Sequence, residues 1–274
     1  MTELAYNACD IVEYVNNNKT SNFNQANYVY IGSYFCDLYM LSIPRDTWER
    51  AITYIKKSKK QAVLVIPTPS QRNLEKLKRL ASILMSDYSD VIKEIVINDY
   101  GMSRWLNNNN VKLPVWGGRM LSKELRDPRY PEKVQSNKIL EWVGDGNLLG
   151  LSIIGIELDT SCSIEAYESL RIACHMPLNY ITMGRYCEIG SINRPITEKF
   201  KLWSGCDRTC NKYWNRYEND EANFLKFGKA VYTYDICNKN NGSRTIYNGI
   251  KDYLTEVDYA FTCTNYFYRG CEGV

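Results

Sequence analysis

Residues 62–98, AVLVIPTPSQRNLEKLKRLASILMSDYSDVIKEIVIN, place two apolar, β-branched runs on either side of an amphipathic segment. The runs AVLVIP (62–67) and EIVIN (94–98) have the length and the Val/Ile content of buried strands. Between them, residues 73–92 carry apolar side chains at helical spacing with lysines on the opposite side. A strand, a helix and a second strand in this order indicate a parallel pair joined by a right-handed crossover.

The same alternation extends over most of the chain. The segment DTWERAITYIKKSKK (46–60) repeats the amphipathic helix pattern. Further strand-like runs are YVYIG (28–32), LPVWGG (113–118), LSIIGIEL (151–158), LNYITMG (178–184), AVYTYDI (230–236) and YAFTC (259–263). About eight strand–helix units in this length predict an α/β fold of the TIM-barrel-like (β/α)8 type, with an open doubly wound sheet as the alternative.

Residues 188–229 interrupt this alternation of strand-like and helical segments. They contain no clear strand pattern and are rich in Asn, Arg, Lys and aromatic residues. We expect a single barrel domain over residues 1–274, in which 188–229 form a cysteine-bearing excursion before the last strands. A bound metal would order such an insertion where hydrophobic burial cannot.

Composition limits the class of protein. The N-terminus lacks the basic start and apolar block of a signal peptide, and no apolar run approaches the ~18 residues of a membrane span. We therefore expect a cytoplasmic protein with no membrane span. The formal net charge of +3 is too small to indicate a nucleic-acid partner and does not exclude one.

The ten cysteines and one histidine direct attention to thiol chemistry. Reducing compartments disfavour a disulfide framework, and a single histidine excludes multi-histidine metal sites. Cys206 and Cys210 form a Cys-x3-Cys pair in GCDRTCNKY, and Cys187 precedes them in MGRYC. Cys36 follows the strand at 28–32, so the carboxyl ends of parallel strands would bring it to the same face. Four thiolates suit zinc and a [4Fe-4S] cluster equally well on spacing alone.

Two other thiols are weaker candidates. Cys162 is a substitute ligand near the fifth strand, whereas Cys174 lies on a predicted helix end before His175. We expect His175 to be a hydrogen-bonded residue in a helix-to-strand turn rather than a catalytic base.

Charged residues also follow predicted strands. Asn98 and Asp99, Arg119, Glu157 and Arg185 would all reach the barrel mouth. A carboxylate beside the pair Arg119 and Arg185 suits the binding of an anionic ligand, because guanidinium groups form paired hydrogen bonds with carboxylates. Asp99 and Arg119 are therefore the candidate substrate-binding residues. Glu157 and Arg185 are candidate catalytic residues, because a carboxyl of raised pKa can exchange protons. Structural ion pairs closing the barrel end are the alternative.

From about residue 27 onward the order of elements resembles the UbiV family, the smaller partners of UbiU within the collagenase-like (U-32) peptidase superfamily. The segments that carry the resemblance are YIGSYFC (30–36), NDYG (98–101), GGRMLS (117–122), IELDTS (156–161), MPLNYITMGRYC (176–187) and CDRTC (206–210). The resemblance implies that Cys36, Cys187, Cys206 and Cys210 bind a [4Fe-4S] cluster in a TIM-barrel-like fold. The interval between Cys187 and Cys206 is longer than is expected for the family.

Three functions are open at this point. The resemblance implies an enzyme or enzyme subunit for oxygen-independent hydroxylation, or a related redox modification, of an aromatic, quinone-precursor, nucleotide or peptide substrate. It implies an anionic oxygen donor such as prephenate. The second function is a non-catalytic [4Fe-4S] scaffold that pairs with a larger homologous subunit. The third, a peptidase, lacks a nucleophile–base motif in this sequence.

Overall fold

Eight parallel strands close into a barrel. The computed structural model describes residues 2–122, 147–148, 150–159, 170–192, 194–199, 201, 205–218, 223–234 and 242–256. The barrel strands are β1 (Glu3–Asn7), β2 (Tyr28–Gly32), β3 (Gln61–Ile66), β4 (Ile92–Ile97), β5 (Val115–Gly117), β8 (Gly155–Asp159), β9 (Arg171–Met176) and β14 (Arg244–Asn248). They are hydrogen-bonded in the order β1-β2-β3-β4-β5-β8-β9-β14, with β14 pairing back to β1. The predicted TIM-barrel-like (β/α)8 fold is confirmed, and the open sheet is excluded.

Helices follow several of these strands. Those described are α1 (Ser21–Gln25), α2 (Asp37–Ser42), α3 (Arg45–Lys57), α4 (Leu74–Asp87), α5 (Tyr100–Asn108), α6 (Arg119–Ser122), α7 (Ile196–Lys199) and α8 (Gly249–Glu256). In α3, for example, Trp48, Ile52 and Ile55 are buried, while Lys56 and Lys57 lie in its last turn. This distribution is the amphipathic pattern that the sequence shows. None of the helices in the described part of the chain combines the length and the apolar character that crossing a bilayer requires.

A second, antiparallel sheet is formed by the segment between β9 and β14. Its strands are β10 (Leu178–Met183), β11 (Asn215–Glu218), β12 (Asn223–Phe227) and β13 (Ala230–Tyr234), in the order β10-β13-β12-β11. A two-residue turn, Gly228-Lys229, joins β12 to β13, and Gly228 has a φ of +58°. Turns of this length often require positive φ, which glycine adopts without strain. A two-stranded hairpin is formed by β6 (Asn147–Leu148) and β7 (Leu151–Ser152).

The structure corrects several strand assignments. The runs at 178–184 and 230–236 are not barrel strands but β10 and β13, which pair antiparallel in the second sheet. The run at 151–158 divides into β7 and β8, and the run at 259–263 lies outside the described residues. The expectation of no strand in 188–229 was wrong, because β11 and β12 lie there. Apolar and β-branched content indicates a strand but does not say which sheet it joins. The prediction of one domain over 1–274 stays a prediction.

Three barrel strands were not predicted from the sequence pattern. They are β1, β9 and β14, with the sequences ELAYN, RIACHM and RTIYN. Each begins with a charged residue and contains only one or two large aliphatic residues, so none shows a continuous apolar run. Cys174 and His175 consequently lie on strand β9 and not at a helix end or turn, which corrects their predicted positions.

Buried charges fill the amino-terminal end of the barrel. Arg244 pairs with Glu94 at 2.5 and 3.0 Å, and its Nε donates to Glu3 Oε2 at 2.8 Å. Its guanidinium lies over the rings of Tyr28 and Trp116, at 3.8 and 4.8 Å from their centroids. The Arg244 side chain is fully buried. The functional loops of a TIM barrel lie at the opposite end, so we interpret this cluster of charges as structural.

A four-cysteine cavity as the candidate functional site

Cys36 is positioned by the carboxyl end of β2. Strand β2 ends at Gly32, and Ser33 Oγ accepts a hydrogen bond from the Cys36 amide at 2.9 Å. Cys36 is the N-cap of α2, and its Sγ accepts a hydrogen bond from Tyr39 N at 3.3 Å. The thiol therefore has a fixed orientation at the barrel mouth.

Cys187 reaches the site from the second sheet. It follows β10, and its Sγ accepts a hydrogen bond from Gly190 N at 3.2 Å. Ser191 Oγ donates to the carbonyl of Cys187 at 2.7 Å, which holds the turn. The sequence pattern predicts this cysteine after a barrel strand. Because β10 is not in the barrel, the second sheet delivers it instead.

Cys206 and Cys210 lie in one loop that includes a short 3-10 helix, Thr209–Asn211. Cys210 is buried and Cys206 is partly buried. Between them Arg208 adopts a φ of +53°. The loop therefore turns sharply enough to direct both cysteines to the same side.

All four cysteines line a single cavity above the carboxyl end of the barrel. The charged residues that share its lining are Asp10, Arg194, Lys201, Asp207, Arg208 and Lys229. Burial raises the pKa of the Cys36, Cys187 and Cys210 thiols, and neighbouring thiols of the site raise each of these pKa values further. The thiols are thus close enough to act on one another electrostatically, and without a metal the protonated form is favoured.

The donor set has the chemistry that zinc or an iron–sulfur cluster requires. Four thiols are the ligands of closed zinc sites and of [4Fe-4S] clusters. Two of the sulfurs already accept backbone N–H groups, an interaction that tunes iron–sulfur clusters. Within the described ranges, no group of three or more His, Cys, Asp or Glu side chains is arranged to hold a metal ion. Metal binding at this cavity would have to release the thiol protons and draw the sulfurs together.

Two charged residues of the cavity, Asp10 and Lys229, are buried and were not among the residues predicted from the sequence. Asp10 follows β1, is buried, and accepts a hydrogen bond from Ser33 Oγ at 2.5 Å. Burial raises the pKa of Asp10 to about 7. Lys229, in the turn between β12 and β13, is also buried. Had strand β1 been predicted, Asp10 would have been recognised as a residue at the carboxyl end of a barrel strand. The sequence FGKA around Lys229 contains no pattern that indicates a buried or functional lysine.

The other predicted site residues lie elsewhere, and none of them lines the cavity. Asp99 is the N-cap of α5, where its Oδ1 accepts from Met102 N at 2.9 Å. Arg185 is exposed after β10. Asn98 is buried and donates to the carbonyl of Ile66 at 3.2 Å. Capping and strand-end hydrogen bonds account for the positions of Asn98 and Asp99. The assignments of Asp99 to substrate binding and of Arg185 to catalysis stay predictions.

Glu157 and Arg119 are fully buried beneath the mouth. Glu157 Oε1 accepts from Tyr34 OH at 3.1 Å, and Oε2 lies 3.3 Å from His175 Nε2. Burial raises the pKa of Glu157 to about 8. Arg119 pairs with Asp159 and donates to the carbonyl of Leu178 at 2.9 Å, at the start of β10.

This interior network has a structural consequence. Arg119 links the barrel to the first strand of the second sheet, and its guanidinium lies 5.6 Å from the ring centroid of Tyr232 in β13. The network therefore supports the sheet that delivers Cys187. Catalytic and substrate-binding roles for Glu157 and Arg119 stay predictions.

Comparison with known proteins gives a distant likeness. No protein family model matches this chain, and no curated protein matches it significantly. Among solved structures, it is similar to one titled "The Structure of the U32 Peptidase Mk0906", with a TM-score of 0.48 and 8% sequence identity. That similarity covers 90% of this chain and 92% of the other. The function of the cavity is therefore inferred from the residues that line it.

Proposed function

We propose that this chain is an iron–sulfur protein in which Cys36, Cys187, Cys206 and Cys210 hold a [4Fe-4S] cluster. The observation that supports the proposal is that these four cysteines, which come from three separate parts of the sequence, line one cavity. The other described cysteines, Cys9 and Cys174, are not part of that lining. A cluster at this position would supply one-electron redox chemistry at the end of the barrel where TIM-barrel active sites lie.

The chain's own residues would prepare the site in three ways. The backbone amides of Tyr39 and Gly190 donate to two of the sulfurs and orient them. Phe35 and Phe227 line part of the cavity and limit the access of water. Lys229 offsets the negative charge of the thiolates. Within this framework we assign the chain to oxygen-independent hydroxylation or a related redox modification, with an anionic oxygen donor.

A second candidate is a cluster-bearing scaffold subunit of a heterodimer. The observation that favours it is the position of the predicted catalytic residues. Glu157 is fully buried below the cavity and Arg185 is exposed outside its lining, so neither of them lines the space that the four cysteines surround.

Anaerobic purification with metal analysis tests the proposal. We expect broad visible absorption and about four irons and four sulfides per chain in the wild type. Cys206→Ser should lose most of the iron, while the matched control Cys174→Ser, which changes a thiol of the barrel strand β9, should retain it. One zinc per chain would make the site structural, and the absence of any bound metal would refute the proposal.

The activity of the cluster-containing protein distinguishes a hydroxylase from a non-catalytic scaffold. The chain with a full cluster is incubated anaerobically with prephenate and candidate aromatic acceptors, with mass spectrometry to detect addition of one oxygen atom. A product that depends on Cys206 supports the enzyme. No product from the chain alone, with product after addition of a larger homologous subunit, supports the scaffold.

A further inference from the structure

Lys229 is a buried cation at the cysteine cavity. Its residue exposure is 8%, and it lies in the tight turn between β12 and β13. The turn approaches the cysteines closely, because a Cβ placed on Gly228 would lie 3.8 Å from the Cβ of Cys210. The lysine side chain therefore extends along the cavity that the four thiols line.

The ammonium group is only partly neutralised by its carboxylate neighbour. Lys229 Nζ lies 3.8 Å from Asp37 Oδ1, which is an ion-pair distance but exceeds that of a hydrogen bond. Asp37 Oδ2 is occupied by Ser70, whose N and Oγ donate at 2.9 and 2.7 Å, and by Asn73 Nδ2 at 3.0 Å. These donors fix the carboxylate on the side away from the lysine.

Lys229 shares the cavity with thiols from separate parts of the chain. The same lining includes Cys36, which follows β2, and Cys187, which follows β10. Lys226, on the neighbouring strand β12, is outside that lining and is paired with Glu188. Among the lysines and arginines of the lining, Lys229 is the buried one.

We propose that Lys229 is the fixed counter-charge of the cysteine site and raises the reduction potential of the group bound there. This inference rests on the proposed function. Four thiolates give a cluster net negative charge, and reduction adds one electron to it. A buried positive charge stabilises the reduced form more than the oxidised form, because low local polarity leaves the attraction weakly screened.

The test is an anaerobic redox titration of the cluster absorption. Lys229→Met, which keeps the length of the side chain and removes its charge, should lower the midpoint potential. Lys229→Arg should restore it. Lys201→Met changes an exposed lysine of the same cavity and should leave the potential near the wild-type value. Asp37→Asn removes the partner charge and should raise the potential, the opposite direction.

Each outcome decides the proposal. A fully loaded Lys229→Met protein with an unchanged potential overturns it. If Lys229→Met cannot retain the cluster, retention by Lys229→Arg supports the counter-charge. If both variants lose the cluster, the Asp37→Asn protein decides: a raised potential supports the proposal and an unchanged one overturns it. A wild-type protein without a cluster would instead be a failure of the proposed function.

Discussion

Arg208 Nε lies 2.8 Å from Glu13 Oε1, across an interval of almost two hundred residues. Glu13 belongs to the short 3-10 helix Val12–Asn17 after β1, and its Oε2 accepts from Tyr39 OH at 2.7 Å. Arg208 Nη1 also donates to the carbonyl of Ser42 at 2.5 Å. Since Tyr39 N donates to Cys36 Sγ, one set of contacts connects the Cys-x3-Cys loop to the first cysteine. The clasp of Glu13 and Arg208 therefore holds the late cysteines against the barrel.

The clasp predicts a loss of stability and of metal in Arg208→Gln. Both side chains are partly buried, with 31% and 26% of their surface exposed, so we expect the free energy of unfolding of the metal-free protein to fall by about 1 kcal/mol. Iron retained after anaerobic reconstitution should fall as well. Urea unfolding and iron analysis measure the two effects.

Arg45→Gln is the matched control, because Arg45 forms an ion pair with Asp87 on the exposed surface. It should change stability by less than about 0.5 kcal/mol. A double-mutant cycle with Glu13→Gln isolates the pair. Additive effects of the two substitutions would show that the clasp contributes nothing as a pair.

The barrel could be predicted because its most apolar strands are buried on both faces. AVLVIP and EIVIN show this directly, as central strands of a parallel sheet do. Strands β9 and β14 could not be found in this way, since His175 and Arg244 are buried by specific partners that local sequence does not reveal. Polar residues in a core are satisfied by tertiary contacts and so leave no periodic signal.

The cysteines of the candidate site were identifiable from spacing and resemblance, whereas their surroundings were not. Cys187 reaches the cavity through an antiparallel sheet in which β10 and β13 have the same apolar sequence pattern as barrel strands. Arg119 follows a barrel strand as predicted, but its burial against Asp159 depends on β10 covering the mouth. Position after a strand indicates which end of the barrel a residue occupies, but not whether it faces a ligand.

A second prediction concerns the amino-terminal end of the barrel. Arg244→Met should lower the free energy of unfolding by about 3–5 kcal/mol, because it leaves the buried Glu94 carboxylate without its cation. Adding Glu94→Gln should recover part of the loss, since the amide is neutral and still accepts from Trp116 Nε1. Arg104→Met, on the exposed face of α5, is the control. Thermal and urea unfolding measure these changes, and equal stability of Arg244→Met and the control would contradict the assignment.

A third prediction concerns the turn that leads to Cys36. Gly32 has a φ of +119°, and a Cβ placed there would lie 2.2 Å from the carbonyl oxygen of Val65. Gly32→Ala should therefore cost roughly 2–4 kcal/mol through backbone strain and displacement of β3. Gly205→Ala is the control, because a Cβ placed on Gly205 would have no atom within 4 Å. A wild-type melting temperature for Gly32→Ala would contradict the close approach of β2 and β3.

The last prediction concerns the buried carboxyl of Glu157. Burial raises its folded-state pKa to about 8, from the ordinary glutamate pKa of 4.5 that holds in the unfolded chain. The stability associated with the protonated group is therefore complete below pH 4.5 and is lost as the pH rises toward 8. Each unit of pKa difference corresponds to about 1.4 kcal/mol. Glu157→Gln remains neutral, and its amide can still accept from Tyr34 OH and donate to His175.

Wild type and Glu157→Gln should consequently diverge with pH. The variant gains free energy of unfolding relative to wild type between pH 5 and 8, and the difference levels off above pH 8. Urea unfolding of the metal-free protein at pH 5, 6, 7, 8 and 9 measures it, with Glu49→Gln on the exposed face of α3 as a control that should run parallel to wild type. A difference that is the same at pH 5 and pH 9 would show that Glu157 is already ionised in the folded protein. The contact with His175 would then be an ion pair with a protonated imidazole.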